Sequence, residues 1–283
     1  MEITAFDRAS AQDIVLDPFP HLVIPNALPN ALYQELLTCR PDPFTNFAAP
    51  PNLRLPIAAH LLMTMDHIPP LWKELARALT APAICRRVAT LFADHLHPDQ
   101  PLNLLAENPT QERAWGLVHR DSPMDQPLSA VGHPRQPTGR IFTEARLEVV
   151  SPSAQTDGGS HRRAHLDSRN RLFTALLYLR PDDDDSQGGG LDLFGWRHKP
   201  TLEQMEAFQL DETMVERRAT LPYHGNTIAL FPQSPVALHG MAPRGPATHQ
   251  RAYIFISAEM TDPWFDDQSL SQTGAAARDD AFA

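Results

Sequence analysis

Residues 140–260 break into eight short runs with strand character, at 142–150, 163–167, 172–179, 190–195, 215–221, 226–231, 237–242 and 250–258, separated by turn-forming Gly, Pro and Asp. Many short strands punctuated in this way confine a chain to a jelly roll or barrel, because amphipathic helices need longer segments with a period of 3.6 residues. Only 201–208 among these runs reads as a helical turn. The acidic run 182–185 followed by Ser-Gln-Gly-Gly-Gly occupies a connection between strands. It lacks the Gly and Glu positions of a calcium-binding helix-loop-helix and is expected to be a solvated turn.

The N-terminal third has a different texture. An extended, proline-punctuated segment at 17–25 precedes a helix expected to start near Pro29 and Asn30 and to run through Leu32, Leu36 and Leu37. Two further amphipathic stretches, 69–79 and 82–95, place Leu71, Leu75 and Leu79 at helical spacing. The expected organisation is a single domain: a helical and mixed cap over 1–97, a proline-rich region over 98–139, a β core over 140–260 and a polar tail over 261–283. The 98–139 region is dense in Pro, Asn, Gln and Asp and has no sustained periodicity. It reads either as a lid, with Trp115 and His119 its residues of interest, or as a peripheral insertion.

Composition removes several classes of function. A hydrophobic content of 42% and a charged content of 20% are those of a soluble globular chain long enough at 283 residues to bury a large core. A net charge of -10 without any basic stripe argues against nucleic-acid binding, which needs clustered Lys and Arg. No apolar run reaches the ~18 residues of a membrane span, and the first ten residues lack the pattern of a signal peptide, so a cytoplasmic location is expected. The two cysteines, Cys39 and Cys85, fall in helical segments and are expected to be free thiols.

The chemistry is carried by a His-x-Asp pair. The pattern occurs three times, at His97/Asp99, His119/Asp121 and His165/Asp167. The first holds a proline at its centre and the second runs into Ser122-Pro123, which reads as loop. The third lies between strand-like runs, and residues i and i+2 of an extended segment point to one side, so His165 and Asp167 can reach one ion. Downstream come His239 and then Arg251. Two imidazoles and one carboxylate suit non-haem iron(II) with open positions, and a guanidinium is a fixed fork for a carboxylate.

Arg163-Ala-His-Leu-Asp-Ser-Arg-Asn-Arg-Leu-Phe-Thr-Ala-Leu-Leu-Tyr-Leu-Arg180, Gly188-Gly-Gly-Leu-Asp-Leu-Phe194, Gly225-Asn-Thr-Ile-Ala-Leu-Phe231, His239-Gly-Met-Ala-Pro243 and Arg251 occur in the order of the motifs of the prolyl 4-hydroxylase-like iron(II)/2-oxoglutarate dioxygenases, which 140–260 resembles. The resemblance implies a double-stranded β-helix core supported by N-terminal helices. It also implies His165, Asp167 and His239 as the iron ligands. Arg251 would bind the far carboxylate of 2-oxoglutarate, with Tyr178 donating a hydrogen bond to the same group. The cofactors implied are Fe(II), 2-oxoglutarate as cosubstrate and O2. Where related enzymes place a second cosubstrate-binding tyrosine, this chain has Val149-Val150-Ser151-Pro152, so that contact is absent or supplied elsewhere. His249 lies too close to Arg251 to serve as the distal ligand, and His161 reads as a loop residue. A carboxylate at 167 favours hydroxylation or desaturation over halogenation.

The implied reaction is hydroxylation of an unactivated C–H bond with release of succinate and CO2. The expected partner is a small polar substrate, such as a free or carrier-bound amino acid (possibly proline-like), with no nucleic acid and no membrane. Arg163, Arg169, Arg171 and Trp196 are placed near the mouth of the site as substrate-binding candidates or as ordinary surface and packing residues. A peptidyl or protein side-chain hydroxylase is the alternative on the same core. A zinc hydrolase leaves Arg251 and Tyr178 unexplained. A non-catalytic metal-binding jelly roll is the alternative of another class. Oligomeric state leaves no trace in the sequence.

Overall fold

The computed structural model describes residues 5–107, 118–119, 141–154, 162–260 and 263–265. Among them, ten strands fall into two sheets. The large sheet has the order β1 (Leu22–Ile24), β8 (Thr227–Pro232), β5 (Arg171–Tyr178), β10 (Arg251–Glu259), β4 (Phe142–Val150) and β2 (Arg54–Ile57), and β3 (Val118–His119) pairs with β4 in parallel. The small sheet has the order β7 (Val215–Leu221), β6 (Leu191–Trp196) and β9 (Leu238–Met241). From β4 onward the chain passes repeatedly between the sheets, through β5, then β6 and β7, then β8, β9 and β10. Antiparallel strands wound alternately between two facing sheets make a double-stranded β-helix, mainly β with helices on one side.

The period of two sorts the core into two layers. Leu147 and Val149 of β4, Phe173, Ala175 and Leu177 of β5, Ile228 and Leu230 of β8, and Ile254 and Ile256 of β10 belong to one cluster with the helices. Their alternate neighbours, Leu176, Tyr178, Ala229, Phe231 and Tyr253, pack against Leu191 and Leu193 of the small sheet. Strands buried on both faces have no polar face to display. This is why 172–179 reads as a continuous apolar run rather than an alternating one.

The helices cover the outer face of the large sheet. In α1 (Asn30–Thr38) the buried residues are Leu32, Tyr33 and Leu36. A short α2 (Ala59–Thr64) follows β2, and the Glu144 carboxylate of β4 accepts from the Ala59 N–H at its start. Next, α3 (Pro70–Leu79) buries Trp72, Leu75, Ala76 and Leu79, one stripe at i, i+3, i+4 and i+7. Both α3 and α4 (Pro82–Leu91) open with proline in the first turn, where its missing N–H leaves no hydrogen bond unmade. Among the described residues the two remaining α-helices are α5 (Leu102–Glu107) and α6 (Leu202–Glu206), the latter started by a Thr201/Gln204 capping box. Cys39 and Cys85 are free. No helix among the described residues is long and apolar enough to cross a membrane.

Several expectations are corrected. Residues 163–167 form no strand. They pair with the small sheet through the His165–His239 bridge, where each N–H donates to the other carbonyl at 2.9 and 3.0 Å. Beyond it the chain turns away, and the Asp167 carbonyl accepts from the Gln233 side-chain amide instead. β1 falls in the extended segment expected at 17–25, whereas β2, the other strand the cap supplies to the large sheet, is not among the expected elements. Pro56 is tolerated in β2 because that strand lies at the sheet edge. α5 falls in a stretch that reads as aperiodic. The 182–185 run is more than a solvated turn: Asp184 is buried and accepts from the Ser186 N–H, and Asp185 pairs with His249 at 2.9 Å. Of the proposed lid, Trp115 and most of 98–139 lie outside the described residues, as does His161.

Candidate metal and cosubstrate site

The double bridge between His165 and His239 brings together two histidines 74 positions apart, with ring centroids 4.4 Å from each other and the ring planes tilted by 55°. Asp167, two residues beyond His165, reaches the same point. One of its carboxylate oxygens lies 3.9 Å from His165 Nε2 and the other 3.8 Å from His239 Nε2. Gly240 makes the approach possible, since a Cβ there would sit 2.6 Å from the Arg163 carbonyl carbon. All three side chains are buried, and their ligand atoms lie within 4.8 Å of one another.

Hydrogen bonds fix which atoms face the centre. His165 Nδ1 lies 2.7 Å from the Arg163 carbonyl and His239 Nδ1 lies 3.0 Å from the Ala237 carbonyl. A carbonyl only accepts, so each Nδ1 carries the proton and each Nε2 presents a lone pair inward. Burial pushes the His165 imidazole down to about 3, helped by neighbouring His239, and burial lowers His239 as well, against the pull of Asp167. Burial opposes ionisation of Asp167, but Arg171, the two histidines and a 2.6 Å hydrogen bond from Thr174 Oγ1 together hold its carboxyl well below the usual carboxylate range. The cluster is therefore two neutral imidazoles and one carboxylate, the donor set that a divalent transition metal takes. The residues present fit iron(II).

Arg251 opens β10 on the same cavity and is 2% exposed. Its Nε donates to the Gly189 carbonyl at 3.0 Å, and its guanidinium carbon lies 4.5, 4.9 and 5.7 Å from the rings of Tyr253, Tyr223 and Tyr178. The aromatic walls steer the cation without consuming its donors. One terminal nitrogen of Arg251 has no hydrogen-bond partner among the described residues, and neither has the buried Tyr178 hydroxyl. Burial raises Tyr178, so it keeps its proton and acts as a donor. The backbone around Gly190 is close-packed as well, since a Cβ there would lie 2.2 Å from the Leu221 carbonyl oxygen.

His165, Asp167, His239 and Arg251 line one cavity of about 410 Å³ together with Thr174, Leu176 and Tyr253. Of the four residues placed at its mouth from sequence, Arg171 lines it. Arg163 instead pairs with Glu212, Arg169 pairs with Glu206, and Trp196 donates its indole N–H to the Pro235 carbonyl, and none of these three lines the cavity. Arg54, Arg146 and Arg162 line it and went unnoticed, since nothing local distinguishes them from surface arginines. The Thr174 bond to Asp167 had a faint sequence signal, because Thr174 shares the strand face of Tyr178. A second His/Asp cluster, Asp184, Asp185 and His249, is occupied by its own pairings with Arg180 and Thr248, and Asp185 raises the His249 pKa.

No family model matches the chain, and no curated protein does. Among solved structures it is similar to a prolyl-4-hydroxylase from Pseudomonas putida at 13% identity and a TM-score of 0.43, over 88% of this chain and 96% of that one. It is likewise similar to a prolyl 4-hydroxylase from Phytophthora capsici at 14% identity and a TM-score of 0.43, over 97% and 71% of the two chains. A third similarity is to the non-heme alpha ketoglutarate dependent epimerase SnoN from nogalamycin biosynthesis, at 12% identity and a TM-score of 0.43, over 95% and 87%. These likenesses are distant, and the reading below rests on the chain's own residues.

Proposed function

We propose that this chain is an iron(II)- and 2-oxoglutarate-dependent dioxygenase that hydroxylates an unactivated C–H bond of a small polar substrate, most simply a free or carrier-bound amino acid. The observation that carries the reading is an unpartnered, buried donor on Arg251 in one pocket with a complete two-histidine, one-carboxylate cluster, with the equally unpartnered hydroxyl of Tyr178 on a ring 5.7 Å from the Arg251 guanidinium. Leaving such donors without partners is costly, and a carboxylate satisfies both.

In this reading His165, Asp167 and His239 hold iron(II) on one side. When bound, the metal with 2-oxoglutarate and O2 supplies oxidising power coupled to release of succinate and CO2. The residues of the chain then have separable tasks. Arg251 and Tyr178 grip the far carboxylate of the cosubstrate and so set the direction from which its other end meets the metal ligands. Thr174 holds one oxygen of Asp167, and the Arg163 and Ala237 carbonyls hold the imidazoles in the tautomer that ligates. Leu176 and Leu191 give the pocket apolar wall, which limits water.

The test is anaerobic addition of iron(II) and then 2-oxoglutarate to the metal-free protein, followed by visible absorption, with His165→Ala as the control. A charge-transfer band of a bidentate 2-oxoacid chelate is expected in the wild type and not in the variant. Folded, iron-loaded protein without the band refutes the cosubstrate assignment and favours a metal-binding jelly roll.

A further inference from the structure

The inner face of the large sheet carries more positive charge than iron and cosubstrate call for. Cross-strand pairing places Tyr253 beside Glu148, and Phe255 beside Arg146, with Leu176 on the other flank of Phe255. Further along, the pairing of β10 with β5 slips at Ala258/Glu259, where Ala258 opposes Phe173 but Glu259 opposes Arg171. This bulge reverses the alternation of β5. Leu172 and Phe173 both pack with the helices, and Arg171 is turned into the cavity beside Thr174.

Arg171 is an under-used cation. Its side chain is 12% exposed, and its nearest carboxylate is Glu259 at 3.6 Å, reached through one terminal nitrogen. Its Nε and its other terminal nitrogen are buried with no hydrogen-bond partner among the described residues. Arg146, which pairs with Glu148 at 2.6 Å, lies over the same aromatic ring: the Arg146 and Arg171 guanidinium carbons are 4.4 and 5.0 Å from the Phe255 centroid. They reach that ring from strands on opposite flanks of β10, and both line the cavity. Arg54, 3.5 Å from Glu148, and Arg162, stacked on the exposed Phe208, complete the group. With Asp167 and Arg251 assigned to metal and cosubstrate, these four arginines face two paired carboxylates, Glu148 and Glu259.

We infer that Arg171, with Arg146 lining the same cavity, is a subsite for a carboxylate of the substrate, so the molecule hydroxylated carries a free carboxylate. The inference rests on the dioxygenase reading and narrows it: a free amino acid or other small acid brings that carboxylate, whereas a residue inside a peptide chain has its own taken up in amide linkage. The planar fork of arginine matches a carboxylate through paired hydrogen bonds, and the ring of Phe255 holds both forks in place.

The experiment is isothermal titration of metal-free, full-chain protein with inorganic phosphate at fixed ionic strength, with competition by acetate and by its neutral isostere acetamide. Because phosphate can also occupy the cosubstrate anchor, every protein titrated carries Arg251→Gln; this background is expected to bind phosphate, and acetate but not acetamide is expected to displace it. Arg171→Gln is expected to weaken phosphate binding at least tenfold, and Arg171→Lys, which keeps charge but loses the fork, to fall between. Undiminished affinity in the folded Arg171→Gln variant overturns the inference, as does absence of phosphate binding in the Arg251→Gln background, which would make the cosubstrate anchor the sole anion site. Should Arg171→Gln fail to fold, Arg146→Gln, at the better-exposed of the two sites, carries the same expectation and the same refutation. The iron and 2-oxoglutarate band separates the two readings: its absence in wild type with phosphate binding intact refutes the dioxygenase and leaves the anion subsite standing.

Discussion

Tyr178→Phe tests the cosubstrate site through two effects of opposite sign. The Tyr178 hydroxyl is buried in a residue only 1% exposed and has no partner among the described residues, so folding removes it from water without return. Deleting it leaves the ring in place, with its edge-on contact to Tyr223 at 5.2 Å intact. An unsatisfied buried hydroxyl costs about 1–3 kcal/mol. Its removal therefore leaves the metal-free protein as stable as wild type, or more stable by up to about that amount. A hydrogen bond to a charged carboxylate is worth about 1.5–3 kcal/mol, which is roughly a tenfold to hundredfold loss of 2-oxoglutarate affinity in the variant. The assay pairs urea denaturation of metal-free protein with anaerobic titration of the iron-loaded form by 2-oxoglutarate, read at the charge-transfer band. A variant destabilised by a kcal/mol or more has lost a hydroxyl with a partner inside the fold. A variant that binds 2-oxoglutarate as wild type does has a hydroxyl that does not reach it. Either result refutes the reasoning.

Three further outcomes are expected. Thr174→Val keeps the shape of the side chain but removes the 2.6 Å bond to Asp167, and should weaken iron(II) binding by about 10–100-fold in a competition titration while the fold survives. Gly240→Ala forces a Cβ against the Arg163 carbonyl group and should push the 162–165 segment off β9, costing about 1–3 kcal/mol in urea melts and separating the two imidazoles, which a parallel iron titration would detect. Metal-free protein should lose stability as pH falls from about 6.5 towards 4. His165 stays neutral in the fold down to about 3, and burial lowers His239 too, so below about 6.5 the unfolded chain binds protons that the folded chain refuses. The slope is at most about 1.4 kcal/mol per pH unit for each histidine, and urea midpoints across this range check it. His249, held protonated by Asp185, works in the opposite sense but is a third exposed and contributes little.

What the sequence revealed and what it hid follow one physical division. Features set by local pattern were legible. The strands β4 to β10 came from alternating or continuous apolar runs between turn residues, α3 came from leucine spacing behind an initiating proline, and α4 from the amphipathic stretch that follows Pro82. The arrangement of His165, Asp167, His239 and Arg251 followed from ordered motifs. Features set by contacts between distant segments were not legible. Nothing in 54–57 marks an edge strand, because an edge needs apolar contact on one side only and here even tolerates Pro56. The expected strand at 163–167 failed because two bridging hydrogen bonds to His239 suffice to place the ligands, and the chain must then turn so that Asp167 meets Thr174 and Gln233.

The arginines make the division sharpest. Arg163, Arg169 and Arg171 are indistinguishable as residue types within nine positions of sequence, yet the first two end in ion pairs with Glu212 and Glu206 outside the cavity, and only the third is turned inward. The difference is one slipped register against Glu259, a residue nearly ninety positions away that carries no signal of a bulge. A chain read by period alone puts Arg171 on the face opposite Thr174, so the sequence offers Arg171 as a candidate only on equal terms with Arg163 and Arg169. The candidate metal ligands are legible because a metal demands particular residue types at particular spacings. A substrate subsite demands only a charge in the right place, and that place is decided by the sheet.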